Sequence, residues 1–243
     1  MLRSKHSRST HRKRARDDLL KQLGTVEPLE LERQSASTAA ERPKWPALRQ
    51  SFKLVHRPEG TVLLVSDGLS DPFDDVTLGD GNVNGYGLEF YIESPAGELP
   101  EQTAEVTKSW QFQLLYTVSQ LAAGHGGIRS ILDDMKLLST EAEGVNEAMP
   151  EERKPQFVND AGRVGALLGL RSNDRQDRHS RAALPERFEG MPLTDVVLVN
   201  IKLLTLNELK LITDKGTEAR RRLSDTFTGP TRLVSSAYRD SVI

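Results

Sequence analysis

The sequence predicts an α+β fold in which helices cover a β-sheet. Two runs rich in β-branched and aromatic residues, 61–65 and 86–92, flank a connection dense in Gly, Asp and Asn, which is the composition of turns. A third run, 195–204, is almost wholly apolar and predicts a central strand buried on both faces. Apolar residues at spacings of three and four over 110–122 predict a helix between these strands.

The other elements are predicted from the same signals. Residues 17–23 predict a short helix, and residues 51–56, SFKLVH, predict a strand just before the central pair. A second helix is predicted over 128–138 and a short buried strand over 163–170. The acidic stretch 139–160, which contains two prolines, is predicted to be ordered but irregular.

Helix starts are predicted from capping residues. Ser109 is placed to cap the helix that begins with a tryptophan. Thr205 and Glu208 fit a capping box, in which each side chain accepts a hydrogen bond from the backbone of the other residue. Helices over 206–213 and 218–227 are predicted to follow.

Charge and composition predict a folded body between two terminal segments. Residues 1–44 are predicted to be a basic, disordered arm and linker, residues 45–230 a domain, and residues 231–243 a tail. Residues 1–22 hold eight Lys or Arg and two Asp, a charge of +6, so a net charge of −2 leaves −8 for the rest. An acidic body argues against a nucleic-acid surface on the domain, so only residues 1–16 could bind nucleic acid.

The cellular compartment is predicted from two features that the sequence lacks, a long apolar segment and cysteine. No apolar run approaches the about 20 residues that span a bilayer, and no apolar stretch follows the basic N-terminus. The chain has no cysteine, which fits a reducing compartment. We therefore expect a cytoplasmic protein with no membrane partner.

A calcium loop is only half matched. Oxygen-bearing side chains alternate, and a glycine follows, at Asp80, Asn82, Asn84 and Gly85. The twelfth position, which should supply a bidentate carboxylate, is Tyr91, and the flanks predict strands instead of helices. The five histidines show no metal-ligand spacing either. We expect no metal site and no cofactor.

A group of carboxylates and one serine is the remaining candidate for chemistry. Loop aspartates beside Gly and Pro are more often turn formers than catalytic acids. The serine lies in DGLSD, which lacks the second glycine of a nucleophile elbow. We expect no catalytic residue and interpret the group as an acidic recognition rim that, with an exposed sheet edge, binds a basic protein or peptide. The rim consists of Asp67, Ser70, Asp71, Asp74, Asp75 and Glu89.

Four segments together resemble the suppressor of fused (Sufu) family, in the family's order. They are the strand and Gly-Leu-Ser-Asp turn of 62–75, VLLVSDGLSDPFDD, the Gly-Tyr-Gly-Leu-Glu strand of 85–93, the Trp-led helix of 109–122, and the strand entering a Thr-x-x-Glu-Leu helix in 195–212. The resemblance covers about residues 50–227.

The resemblance implies a mixed, largely antiparallel sheet covered by helices, forming a non-enzymatic protein-binding module. In animals the family restrains a transcription factor by clasping a peptide of it with the help of a second domain, whereas this chain resembles the compact bacterial single-domain type. Those members are similar to proteins of polymorphic toxin systems and are inferred to be immunity, or antitoxin-like, proteins. The leading hypothesis is therefore toxin neutralisation, and the alternative is a regulatory scaffold tethered to nucleic acid through residues 1–16.

Overall fold

The computed structural model describes residues 15–27, 50–71, 84–172, 184–191 and 193–243. Within these residues, eight strands form a sheet in the order β1-β2-β3-β4-β8-β6-β5, and β7 pairs with β8. The strands are β1 (Thr25–Val26), β2 (Ser51–His56), β3 (Thr61–Asp67), β4 (Leu88–Pro95), β5 (Leu138–Ala142), β6 (Val164–Leu168), β7 (Arg187–Phe188) and β8 (Val196–Leu203). The helices are α1 (15–23), α2 (Trp110–Gly124), α3 (Arg129–Met135), α4 (Lys154–Phe157), α5 (Leu206–Lys215) and α6 (Thr217–Thr226).

The sheet is mixed and largely antiparallel, which confirms the predicted fold class. β3 pairs antiparallel with β4, and Leu64 lies opposite Ile92. β4 pairs parallel with β8, and Leu88 lies opposite Val197. The other described strand pairs are antiparallel. No helix among the described residues is long and apolar enough to cross a membrane.

Both faces of the sheet are covered, because successive strand residues point to opposite sides. Leu64 and Val199 pack with Phe112 of α2 in one hydrophobic core. Leu63 and Leu198 belong to a second core on the other face, formed with α1, α5 and α6. Full burial of each such side chain stabilises the fold by about 1.5 to 3 kcal/mol. The predicted burial of β8 on both faces is confirmed.

The two predicted helix caps are present. The Ser109 hydroxyl accepts a hydrogen bond from the Phe112 N–H at 3.3 Å, at the start of α2. The Thr205 hydroxyl accepts from the Glu208 N–H at 3.4 Å, and Glu208 Oε2 accepts from the Thr205 N–H at 2.9 Å. The capping box thus fixes the point where β8 ends and α5 begins.

Replacing Thr205 by alanine is expected to lower the free energy of unfolding by about 1 kcal/mol. The substitution removes the hydroxyl that accepts from Glu208 and donates to Ser241 at 3.1 Å. Urea unfolding would measure the loss. Thr213→Ala is the matched control, because Thr213 is exposed in the last turns of α5. An equal effect of both substitutions would contradict the capping role.

Two sequence predictions were wrong after α2. The helix predicted over 128–138 ends at Met135, where Lys136 adopts a φ of 66° and turns the chain. Leu138 instead begins β5, which pairs with β6. Most of β5 lies within 139–160, the stretch predicted to be irregular. The sequence of β5, LSTEA, has little β character, so its strand conformation comes from its pairing with β6.

Both ends of the described chain pack on the domain. Leu20 and Leu23 of α1 are buried in the second core, although they precede the predicted start of the domain. Leu233 and Val234, in the predicted tail, are buried as well. The folded unit therefore extends beyond the predicted boundaries on both sides.

The C-terminal segment continues the sheet between β4 and β8. Pairing of these strands ends at Tyr91 and Asn200, and farther along β4, Glu93 forms a parallel bridge with Val234. Lys202 of β8, which is buried, donates from Nζ to the carbonyl of Thr231 at 3.0 Å and to that of Val234. The segment thus supplies backbone partners where the two strands no longer pair.

Candidate functional site

A buried polar cluster lies where β3 ends and β4 begins. Asp67 is the last residue of β3, Glu89 is the second of β4, and Ser70 and Asp71 lie in the turn after β3. These four residues surround Arg16 of α1, whose side chain is only 3% exposed. We call Asp67, Ser70, Asp71 and Glu89 the arginine pocket.

Glu89 forms the floor of the pocket and also fixes the turn above it. Its Oε1 accepts hydrogen bonds from the N–H of Gly68 at 3.0 Å and from the N–H and hydroxyl of Ser70 at 2.9 and 2.6 Å. Its Oε2 accepts from the hydroxyl of Ser66 at 2.6 Å. One side chain thus satisfies four donors of the β3 end and its turn, as a buried carboxylate must.

Electrostatic interactions in the pocket couple its charged groups. Burial raises the pKa of Glu89 and the charge of Arg16 opposes this increase, while Asp67 adds to it. Burial lowers the pKa of Arg16, but the carboxylates of Asp67, Glu89 and Asp71 outweigh it, and the pKa is raised overall. The guanidinium of Arg16 therefore stays charged inside the protein.

Arg16 is held in the pocket by two hydrogen bonds and by its charge. Its Nε lies 2.9 Å from Oδ1 of Asp67, its Nη1 donates to the Ser70 hydroxyl at 2.8 Å, and its Nη2 donates to Asp71 Oδ1 at 2.8 Å. Nη1 is also 4.0 Å from Oε1 of Glu89. The two hydrogen bonds from Nη1 and Nη2 point in different directions, as the planar fork of a guanidinium allows, whereas the Nε–H makes no hydrogen bond and contributes through its charge.

The turn that bears Ser70 and Asp71 is held from below by Gly85. The Tyr86 N–H donates to the carbonyl of Leu69 at 2.8 Å. Gly85 has a φ of +48°, and a Cβ at this position would lie 2.3 Å from the carbonyl oxygen of Leu69 and 2.4 Å from that of Asp71. Only glycine lets the two backbone segments approach this closely.

Four of the six residues of the predicted rim form the arginine pocket, and the other two, Asp74 and Asp75, lie outside the described residues. Asp71 is the member nearest the surface, with 14% of its side chain exposed. The remaining three are buried: Asp67, Ser70 and Glu89. These three face inward because they contact Arg16 or hold the turn.

Arg16 is the member of the cluster that the sequence analysis missed. It was assigned to a disordered basic arm, whereas the structure places it in the first described turn of α1. The available signal was its spacing from Leu20 and Leu23, four and seven residues later, which is the pattern of one helix face. Both leucines are buried, so Arg16 belongs to the buried face of α1.

Only Asn84 and Gly85 of the half-matched calcium loop lie among the described residues. Asn84 is buried, its N–H donates to the Thr194 hydroxyl at 3.0 Å, and its Nδ2 donates to the Thr194 carbonyl at 2.6 Å. Asp80 and Asn82 lie outside the described residues. In the part of the chain that the structure describes, no group of three His, Asp or Glu side chains could hold a metal ion.

Comparison with known proteins gives a match in structure and none in sequence. No protein-family model matches the chain, and no curated protein matches it. A solved structure described as the Sufu-Fu complex superposes with a TM-score of 0.51 and 14% sequence identity, over 94% of this chain and 91% of that chain. The fold is Sufu-like. In this Sufu-like fold, the turn after β3 and the start of β4 carry the arginine pocket.

Proposed function

We propose that this chain is a protein-binding module and not an enzyme. The observation that carries the proposal is the Sufu-like fold, because the neighbour that shares it was solved as a Sufu-Fu complex. The environment of Glu89 supports the proposal. Its carboxylate accepts four hydrogen bonds and lies beside Arg16, which suits a structural ion pair better than a general base in contact with a substrate.

The partner that fits best is a basic protein. Residues 23–243 carry a charge of −8, which favours association with a positive surface. The specific form of the proposal is an immunity protein that neutralises a basic toxin by covering its active surface. Asp71, Asp74 and Asp75 form the part of the predicted rim that we propose contacts this partner.

Reversing two rim charges is expected to weaken partner binding at least about tenfold, since like charges across an interface cost several kcal/mol. The full chain serves as bait in lysate of cells that produce it, and mass spectrometry identifies the retained protein. Its affinity is then measured for wild type and for Asp74→Lys/Asp75→Lys. The matched control is Asp214→Lys/Asp225→Lys, which reverses the same number of charges at exposed positions of α5 and α6.

Two results would overturn this proposal. One is equal weakening by both double substitutions, which would show that overall charge, and not the rim, governs binding. The other is retention of nucleic acid without protein. If that retention is sensitive to salt and is lost when residues 1–14 are removed, it would support the alternative of a scaffold tethered through its basic arm.

A further inference from the structure

Within the described residues, the sheet has two edges of different kinds. At one edge, β1 consists of only two residues, and a very short edge strand is one way in which proteins prevent pairing with another chain. At the other edge, β5 has five residues in unbroken register with β6. Its sequence, LSTEA, contains no proline or lysine, the residues that commonly block an edge. The edge at β5 is therefore able to accept a further strand.

The backbone of β5 directs two residues outward. The carbonyl of Gly165 in β6 accepts a hydrogen bond from the N–H of the residue that follows β8, so Gly165 faces β8. Backbone groups of an antiparallel strand alternate between its two neighbours, so Ala166 bonds to its register partner in β5, Thr140. Ser139 and Glu141, on either side of Thr140, then direct their N–H and C=O groups away from β6. No described strand pairs with them on that side.

A cation with spare donors lies beside this edge. Arg220 of α6 places Nη1 3.5 Å from the hydroxyl of Ser139, and its Nη2 donates to the hydroxyl of Thr217 at 2.7 Å. Its Nε is buried without a hydrogen-bond partner, and no described carboxylate forms an ion pair with its guanidinium. Arg220 therefore lacks an anionic partner among the described residues of its own chain.

Glu141 is an exposed anion on the same side of the sheet. It lies opposite Gly165, and Ser139 lies opposite Leu167 of the second core, so both side chains are on the face covered by α5 and α6. Glu141 Oε2 accepts from the side-chain amide of Asn159 at 2.7 Å, and no described cation pairs with the carboxylate. The edge thus carries an anion at one position and a cation over the position two residues earlier.

We propose that β5 pairs antiparallel with β5 of a second copy of this chain, across a two-fold axis at Thr140, so that the two sheets become one. In this register Ser139 of each copy lies opposite Glu141 of the other, and their outward backbone groups exchange hydrogen bonds. Arg220 of each copy, which lies beside its own Ser139, then meets Glu141 of the other copy. This inference goes beyond the proposed function and does not depend on it.

Charge selects both the occupant and the register. Two ion pairs form only if the added strand brings its own Arg220, which a foreign peptide lacks, so the occupant is a second copy. An axis at Glu141 would place the two carboxylates directly opposite each other, and an axis at Ser139 would bring the two guanidinium groups together. Like charges in such positions are destabilising, so the axis at Thr140 is favoured.

Hydrogen exchange of the wild-type chain tests the pairing directly. Two five-residue strands form a small interface, so we expect a weak dimer with a Kd of about 50 μM. Raising the concentration from about 5 to about 500 μM should then slow exchange of the Ser139 and Glu141 amides about fourfold in NMR spectra. The Thr140 amide, which bonds to β6, should exchange equally at both concentrations. Sedimentation equilibrium should show the mass rising from 27.0 kDa towards twice that value.

Charge reversal tests the ion pairs. Glu141→Arg and Arg220→Glu are each expected to weaken self-association at least about tenfold, because each brings like charges together. An equimolar mixture of the two variants should associate as wild type does, because the two introduced charges then face each other, as do two native ones. Glu101→Arg, at an exposed position outside β5 and α6, is the matched control and should keep the wild-type Kd.

The outcomes separate this inference from the proposed function. A monomer at about 500 μM, or a dimer in which the Ser139 and Glu141 amides exchange as in the monomer, would overturn the inference. So would a mixture of the charge variants that associates no better than either variant alone. Protection of these amides only when a captured protein partner is added would assign the edge to that partner and leave protein binding standing. If a charge variant fails to fold, exchange in wild type decides alone.

Discussion

Replacing Arg16 by methionine is expected to lower the free energy of unfolding by about 3 to 5 kcal/mol at pH 7. Methionine keeps an unbranched apolar stem but removes the charge that lies 2.9 Å from Asp67 and 4.0 Å from Glu89. Removing one member of a buried ion pair leaves the desolvation cost of its partners in place. Urea unfolding followed by tryptophan fluorescence measures the loss, since Trp110 is buried in the core of α2.

Arg163→Met is the matched control. Arg163 pairs with Glu143 at the surface, and the two side chains are 44% and 72% exposed. An exposed ion pair contributes no more than about 1 kcal/mol, so the control should lose little stability. A loss for Arg16→Met no larger than that of Arg163→Met would contradict the role of the arginine pocket in folding.

The loss caused by Arg16→Met should shrink as the pH is lowered from 7 towards 4. Burial raises the pKa of Glu89, and removing Arg16 removes a charge that opposes this increase. A carboxyl whose pKa is higher in the folded than in the unfolded state takes up its proton first in the folded state, so acidification stabilises the folded variant. In wild type, Arg16 favours the ionised form of Glu89, so protonation of Glu89 adds less to the free energy of unfolding.

The parts of the fold that sequence predicts well are those that local chemistry decides. Patterns of alternating or continuous apolar residues predict β2, β3, β4, β6 and β8. Ser109 and the Thr205 box located the starts of α2 and α5, since a cap needs only residues within one turn. These signals act over a few residues and are present in the sequence itself.

The missed features depend on distant partners. β5 is a strand because it pairs with β6, and nothing in its own five residues indicates this. The contact between Arg16 and the acidic residues at the end of β3 was not predicted, because Arg16 lies 54 residues before Ser70 in a basic stretch. Whether a carboxylate faces solvent or a buried cation is decided by tertiary structure, and residue type alone cannot tell the two apart.

Raising the pH from 7 to 9 is expected to increase the free energy of unfolding by about 2 kcal/mol through Lys202. Burial lowers the pKa of Lys202 to about 7, and Arg239 adds to the decrease, while Glu208 and Glu93 oppose it. The unfolded chain has an ordinary lysine pKa of 10.5. Between these two values the unfolded state binds a proton that the folded state lacks, so stability rises with pH.

Lys202→Met tests this assignment because it removes the titrating group from the same buried position. The variant should lose stability at pH 7, since the carbonyls of Thr231 and Val234 lose their donor, and its stability should rise less with pH than that of wild type. Lys210→Met, at an exposed position of α5, should keep the wild-type profile. The titration stops at pH 9, because a second group affects stability above that pH. Tyrosines of the unfolded chain ionise near 10, whereas burial raises the pKa of Tyr91 in the folded state. The unfolded state therefore loses its tyrosine proton first, and stability falls as the pH rises further. Parallel profiles for wild type and Lys202→Met would mean that Lys202 keeps its proton, and that it holds the C-terminal segment as a buried ammonium at both pH values.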